Sequence, residues 1–219
     1  MLTTYHRWRH TGSTPDVELD FAVADVWLRQ LAQLRTPHVE RTAWAPALID
    51  RWRDERDIDA IYRSVVRLEE RLTCRSHQSL LHGDFWCGNV LQQHGAVTGV
   101  VDWEHSVAGG DPLRDRARFA LSYALYLDRH TRRGRAVRGH PGLIAGRWGD
   151  GVRHAFAGRC WCSNVIEEFL GAGLVATGRT RSGWRDALIL GLAEIATRSD
   201  DRQFARNHLR LCAELGQRA

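Results

Sequence analysis

Two carboxylates and an amide, Asp84, Asn89 and Asp102, stand at spacings that let them act on one reaction. They lie in His82-Gly83-Asp84-Phe85-Trp86-Cys87-Gly88-Asn89-Val90-Leu91 and in Val100-Val101-Asp102-Trp103-Glu104. Val90-Leu91-Gln92 and Thr98-Gly99-Val100-Val101 are short β-rich runs, and Gln93-His94-Gly95-Ala96 supplies a turn between them. The stretch therefore reads as a β-hairpin. Asn89 falls where the loop enters the first strand and Asp102 where the return strand ends, so the hairpin folds them back beside each other. Asp84 lies just upstream in the same loop. Hard oxygen ligands of this kind suit Mg²⁺, which takes few protein ligands and fills its octahedron with water and phosphate oxygens. Asp84 is then left to accept a hydrogen bond from a hydroxyl. A metal that neutralises phosphate charge and a carboxylate that deprotonates a nucleophile are the parts that phosphoryl transfer needs. Singly, each residue reads as an ordinary turn residue; the ordered set with a hairpin inside it does not.

The elements that must hold these residues are mostly helical. A helix is expected over 16–33, with Thr14 as cap, Pro15 in its first position, and Val17, Phe21, Ala24, Leu28 and Leu31 on one face. A second is expected over 46–55, with Leu48, Ile49 and Trp52 inward. A third starts near Asp57 and lines up Ile58, Ile61, Val65, Leu68 and Leu72. The first third of the chain thus reads as an antiparallel helical layer. Helical periodicity returns after Asp115, through Phe119, Tyr123 and Tyr126. Glycine-rich punctuation follows over 134–151, then helices over 161–170, 182–198 and 199–215, with Ser182 and Ser199 as caps and Gly216 as a stop. The fold class expected is mainly α with one small sheet.

Composition narrows the function classes. The 219 residues, 43% of them hydrophobic and nine of them Trp, suit one globular core. No run is apolar enough to span a membrane and Met1 to Arg7 lack a signal-peptide core, so no membrane and a cytoplasmic location are expected. Net charge is +5, but the basic residues are dispersed without stacking aromatics, and the Arg129–Arg138 cluster reads as a solvated loop. No nucleic-acid partner is expected. Cys74, Cys87, Cys160, Cys162 and Cys212 are odd in number and scattered, so they read as free thiols. Cys160-Trp161-Cys162 with His154 fits structural zinc spacing poorly. All 31 Lys+Arg residues are Arg.

His82-Gly83-Asp84 followed at the right distance by Asn89 resembles the catalytic loop of aminoglycoside phosphotransferase and choline kinase-like small-molecule kinases. It is the counterpart of the H-R-D-x-x-x-x-N loop of protein kinases. Val101-Asp102-Trp103-Glu104 is similar to that family's metal-binding segment, and Gly110-Asp111-Pro112-Leu113-Arg114-Asp115 resembles the stretch that follows it. The likeness is dense from Leu80 to about Ala117. It implies a protein-kinase-like C-terminal lobe over 16–219, with 1–15 at most a remnant of the hinge between lobes. It implies ATP and Mg²⁺ as cofactors, and as acceptor a small-molecule hydroxyl of an aminoglycoside, another amino sugar or an amino alcohol. Asp84 would be the base, Asn89 and Asp102 would hold the metal and through it the nucleotide, and His82 and Asp115 would support the loop, Asp115 also capping the next helix. Cys87 stands where many relatives have Pro.

The family's N-terminal lobe, with its phosphate loop and its Lys, has no counterpart in this sequence: there is no Lys, and Gly12 is the only Gly before His82. Three expectations follow. The chain is a fragment, or it is completed by a protein partner or self-association covering the surface the lobe would cover, or it is a truncated kinase-like protein that serves as a binding or assembly module. A hydrolase using the same metal cluster is a further rival; phosphate release without an acceptor would mark it.

Overall fold

The computed structural model describes residues 14–36, 43–72, 78–93 and 95–217. The expected hinge remnant before Thr14, the caps built on the Thr14 and Pro15 side chains, His94 of the hairpin turn and Cys74 lie outside the described residues. Helix α1 (Thr14–Gln33) buries Val17, Phe21, Ala24, Leu28 and Leu31. Phe21 sits in an aromatic cluster, with ring centroids 5.2 Å from Phe119, 4.9 Å from Tyr123 and 5.0 Å from Phe169. Helices α2 (Trp44–Trp52) and α3 (Ile58–Leu72) pack on each other; α3 buries its whole expected stripe, and α2 buries Leu48 and Trp52 together with Trp44 and Ala45, while Ile49, expected inward, is only half-buried. The Trp52 indole donates to the Ala196 carbonyl at 2.9 Å, so the helical layer is tied to the C-terminal bundle by a buried hydrogen bond as well as by apolar packing.

Four short strands follow: β1 (Ser79–Leu81), β2 (Val90–Gln93), β3 (Ala96–Val100) and β4 (Val107–Gly110). β2 and β3 form the expected antiparallel hairpin, with Val90 opposite Val100 and Gly95 in the turn at φ +73°. A second antiparallel pair, β1 with β4, was not expected, because Val107-Ala108-Gly109-Gly110 has no alternating apolar pattern. Packing explains it. A side chain at Gly110 would lie 2.2 Å from Leu81 Cδ1, so glycine lets the buried Leu81 close onto that strand.

The C-terminal half is a bundle of α4 (Leu113–Leu125), α5 (Asp150–Phe156), α6 (Trp161–Ala176), α7 (Trp184–Arg198) and α8 (Arg202–Gly216). α4 is its axis, buried on nearly every side against α6, α7 and α5. Three local expectations need correction. The glycine-rich stretch runs at its end into an additional helix, α5, whose Gly151 lies so near the Ala124 carbonyl that a Cβ would sit 2.1 Å from it. α8 is capped by Asp201, which accepts from the Gln203 and Phe204 amides, and not by Ser199. α7 begins after a 3₁₀ turn over Arg181–Gly183 without a side-chain cap, so Ser182 does not serve. Cys87, Cys162 and Cys212 are buried free thiols, and burial pushes Cys162 and Cys212 up to about 12. The arginines of the 129–138 loop are exposed. No helix among the described residues is long and apolar enough to cross a membrane.

Candidate active site

The loop over 82–89 hangs from the first turn of α4. Asp115, 1% exposed, accepts the His82 amide at 2.7 Å and the Gly83 amide at 2.9 Å, one on each carboxylate oxygen. It is not the cap of α4: Asp111 takes that place, accepting the Leu113 amide at 2.9 Å, and is itself gripped by both terminal nitrogens of Arg179. Burial pushes the Asp115 carboxyl up to about 6, opposed by the two amide hydrogen bonds and by His82, with Glu194 adding to the rise.

His82 is fully buried and works as a brace. Its Nδ1 accepts the Asp84 amide at 3.3 Å, which leaves Nε2 to donate to the Val101 carbonyl at 2.9 Å. The loop is thereby pinned to the end of the return strand. Gly83, at φ +81°, turns the chain between them, and a Cβ there would lie 1.9 Å from the His105 carbonyl oxygen. Both the left-handed backbone and the lack of space forbid a side chain. Gly83→Ala is therefore expected to displace the loop, with a loss of stability of about 2 kcal/mol or more. Chemical denaturation of the full chain checks it; an unchanged midpoint would contradict the geometry.

The loop brings Asp84 and Asn89 into direct contact. Asn89 Nδ2 donates to the Asp84 carbonyl at 3.0 Å and to Asp84 Oδ2 at 3.2 Å. The amide oxygen of Asn89 has no protein partner among the described residues. The Asp84 Oδ1 atom is held at 2.5 Å by Arg118, from the second turn of α4. Asp102 is placed by backbone: the Val101 amide donates to the Asn89 carbonyl at 3.0 Å, and Asp102 follows at φ +68°, ψ 60°. Its carboxylate is exposed and bonds to neither Asp84 nor Asn89. A left-handed backbone at a non-glycine residue stores about 1–3 kcal/mol of strain and clusters at functional sites.

A cavity of about 140 Å³ opens beside Asp84, lined among others by His105, Arg118, Glu194, Arg198 and Asp200. Neither Asn89 nor Asp102 lines it. Glu194 is neutralised from outside the cavity by Arg114, which grips it at 2.7 and 3.1 Å. Sequence reasoning missed Arg118. The signal was present: an Arg three residues after Asp115, inside the apolar run Ala117-Phe119-Ala120, shares the buried face of the helix that carries the loop's anchor.

Helical bundle, hairpin and loop together define a kinase-like fold. Among solved structures, a protein of Ralstonia eutropha JMP134 assigned as an aminoglycoside phosphotransferase superposes over 100% of this chain and 69% of its own. Its identity is 15% and its TM-score 0.55. A choline/ethanolamine kinase family protein from Mesorhizobium loti covers 93% of this chain and 65% of its own, at 16% identity and TM-score 0.46. A thermostable mutant of aminoglycoside phosphotransferase APH(4)-Ia, in ternary complex with ADP and hygromycin B, covers 93% and 66%, at 17% identity and TM-score 0.45. No curated protein matches. The model of the phosphotransferase enzyme family, APH, matches residues 2–148, and the chain belongs to that family.

Proposed function

We propose that the chain transfers the γ-phosphoryl group of ATP to a hydroxyl of a small molecule, of the amino-sugar or amino-alcohol kind, with Mg²⁺ as cofactor. The observation that carries this reading is the double hydrogen bond from Asn89 Nδ2 to Asp84. It fixes the carboxylate and, because the amide is planar, turns the Asn89 oxygen away from it. That oxygen and the unpartnered Asp102 carboxylate are hard donors on adjacent backbone, and they fit a small divalent cation whose other ligands are phosphate and water. When bound, Mg²⁺ would neutralise charge on the phosphates. Asp84 would orient the acceptor hydroxyl and take its proton as the bond to phosphorus forms. His82 would keep the Asp84 backbone fixed through the reaction, since its ring spans the loop and the Val101 carbonyl. Asp115 would do the same from below.

Calorimetry of the purified chain with ATP, with and without Mg²⁺, tests the metal half of the reading. Binding strengthened by Mg²⁺ is expected, and Asp102→Gly should remove the Mg²⁺-dependent part. The same variant should keep or slightly raise the melting temperature. Glycine relieves a left-handed strain of about 1–2 kcal/mol against an entropic cost of roughly 0.5–1 kcal/mol. A wild-type chain that binds ATP equally well without Mg²⁺, or not at all, would sink this assignment. Binding without any turnover would favour the module that binds and does not react.

A further inference from the structure

Arg118 is poorly occupied for a half-buried guanidinium. Its side chain is 25% exposed, and its one ion pair is a single-nitrogen contact from Nη2 to Asp84 Oδ1 at 2.5 Å. Its Nε is buried without a hydrogen-bond partner. Its remaining terminal nitrogen makes no hydrogen bond among the described residues. Arg198 stands on the same cavity, and its one ion pair is to Glu194 at 3.8 Å, beyond hydrogen-bond reach. Glu194 is already satisfied at 2.7 Å by Arg114, so it draws little on Arg198. The α7 C-terminus beside the cavity is also taken, because Arg51 donates to the Thr197 and Ser199 carbonyls. The acids of the cavity are thus committed, except for Asp200 on the exposed rim, while two arginines keep donors to spare.

We infer that the acceptor carries an anionic group, a carboxylate, near the hydroxyl that Asp84 activates, and that Arg118 and Arg198 receive it. The inference rests on the proposed function for the assignment of the cavity as the acceptor site, and it narrows the amino-sugar and amino-alcohol acceptors proposed there to those that also carry a carboxylate. Four points lead to it. A carboxylate presents two acceptor oxygens, one for the remaining terminal nitrogen of Arg118 and one for Arg198. The cavity adjoins the carboxylate that would take the hydroxyl proton, and is not lined by Asn89 or Asp102, where phosphates would be held. Its 140 Å³ equals the share of about five water molecules. That admits a short hydroxy acid whole and the end of a larger molecule. A purely cationic acceptor would face two arginines at close range, an arrangement that selects against it.

The test is a binding titration of the full chain, followed by NMR, with four probes that share a primary hydroxyl and differ in charge. They are 3-hydroxypropionate, L-serine, ethanolamine and 1,3-propanediol. The two carboxylates should bind more tightly than ethanolamine and the diol, and Arg118→Gln should weaken the carboxylates by about tenfold, the size of one lost charged hydrogen bond. Arg198→Gln, at a side chain one-third exposed and safe for folding, should weaken them less but in the same direction. Asp84→Asn frees Arg118 from its ion pair and should tighten carboxylate binding while slowing any transfer by about 10²–10⁴-fold. Ethanolamine binding ahead of the carboxylates, no carboxylate binding, or carboxylate affinity indifferent to both arginine variants overturns the inference. Since binding is read without turnover, a chain that transfers no phosphoryl group but binds carboxylates through Arg118 would overturn the proposed reaction and leave this inference standing. Arg118→Gln should leave MgATP affinity unchanged; a loss there instead would assign Arg118 to the nucleotide phosphates and overturn it.

Discussion

Replacement of Asp84 by Asn is expected to lower kcat for phosphoryl transfer by about 10²–10⁴-fold, the usual contribution of a positioned general base. The affinity for MgATP should stay within about twofold, because Asp84 is not among the proposed metal donors. Asn is the informative substitution. It preserves volume and can still accept from Asn89, so the loop should keep its shape, but it cannot take a proton. Asp84→Ala also removes the side-chain contact with Asn89, and mixes a chemical loss with a structural one. The measurement is ADP release with an acceptor found by screening hydroxylated metabolites and amino sugars. A drop smaller than about tenfold would remove Asp84 from the role of base. Phosphate release without an acceptor would move the reading toward hydrolysis.

How much of this site could be read before the coordinates depended on how local its causes are. The Asp84–Asn89–Asp102 set lies on one loop and one hairpin, so its geometry follows from a turn and a register, and the Val90–Val100 pairing places Asn89 and Asp102 as the spacing suggests. The helical stripes of Phe21 and Leu28, or of Ile61 and Leu68, were legible for the same reason: burial on one face has a period. What stayed hidden came from partners distant in sequence. β4 exists because Gly110 admits Leu81, about thirty residues earlier. Asp111 caps α4, and Asp115, which had seemed the cap, reaches back over thirty positions to the His82 and Gly83 amides. Arg118 reads as one more arginine in a chain of arginines until α4 is seen under the loop. No periodicity encodes such pairings; they follow from which helix the bundle places beneath the sheet.

That dependence on α4 makes Asp115→Ala the second large effect. The substitution leaves the His82 and Gly83 amides without acceptors inside the protein, at about 1–3 kcal/mol for each. A destabilisation of roughly 2–5 kcal/mol is therefore expected at acid pH. The pH dependence has a definite sign. Burial raises the folded carboxyl from its usual 3.8 to about 6, so the folded state holds the Asp115 proton more tightly than the unfolded chain does. A group of this kind contributes its full stability below the unfolded value and loses it as pH climbs through the folded one. Between about pH 4 and pH 6.5 the wild type should accordingly give up as much as roughly 3 kcal/mol that the alanine variant never had. The gap between the two proteins should narrow across that window. Urea denaturation of both at pH 4 and pH 8, followed by circular dichroism, measures it. A gap that widens with pH would mean that the ionised carboxylate, held by its two amides, is more stable folded than unfolded, and that those hydrogen bonds outweigh burial.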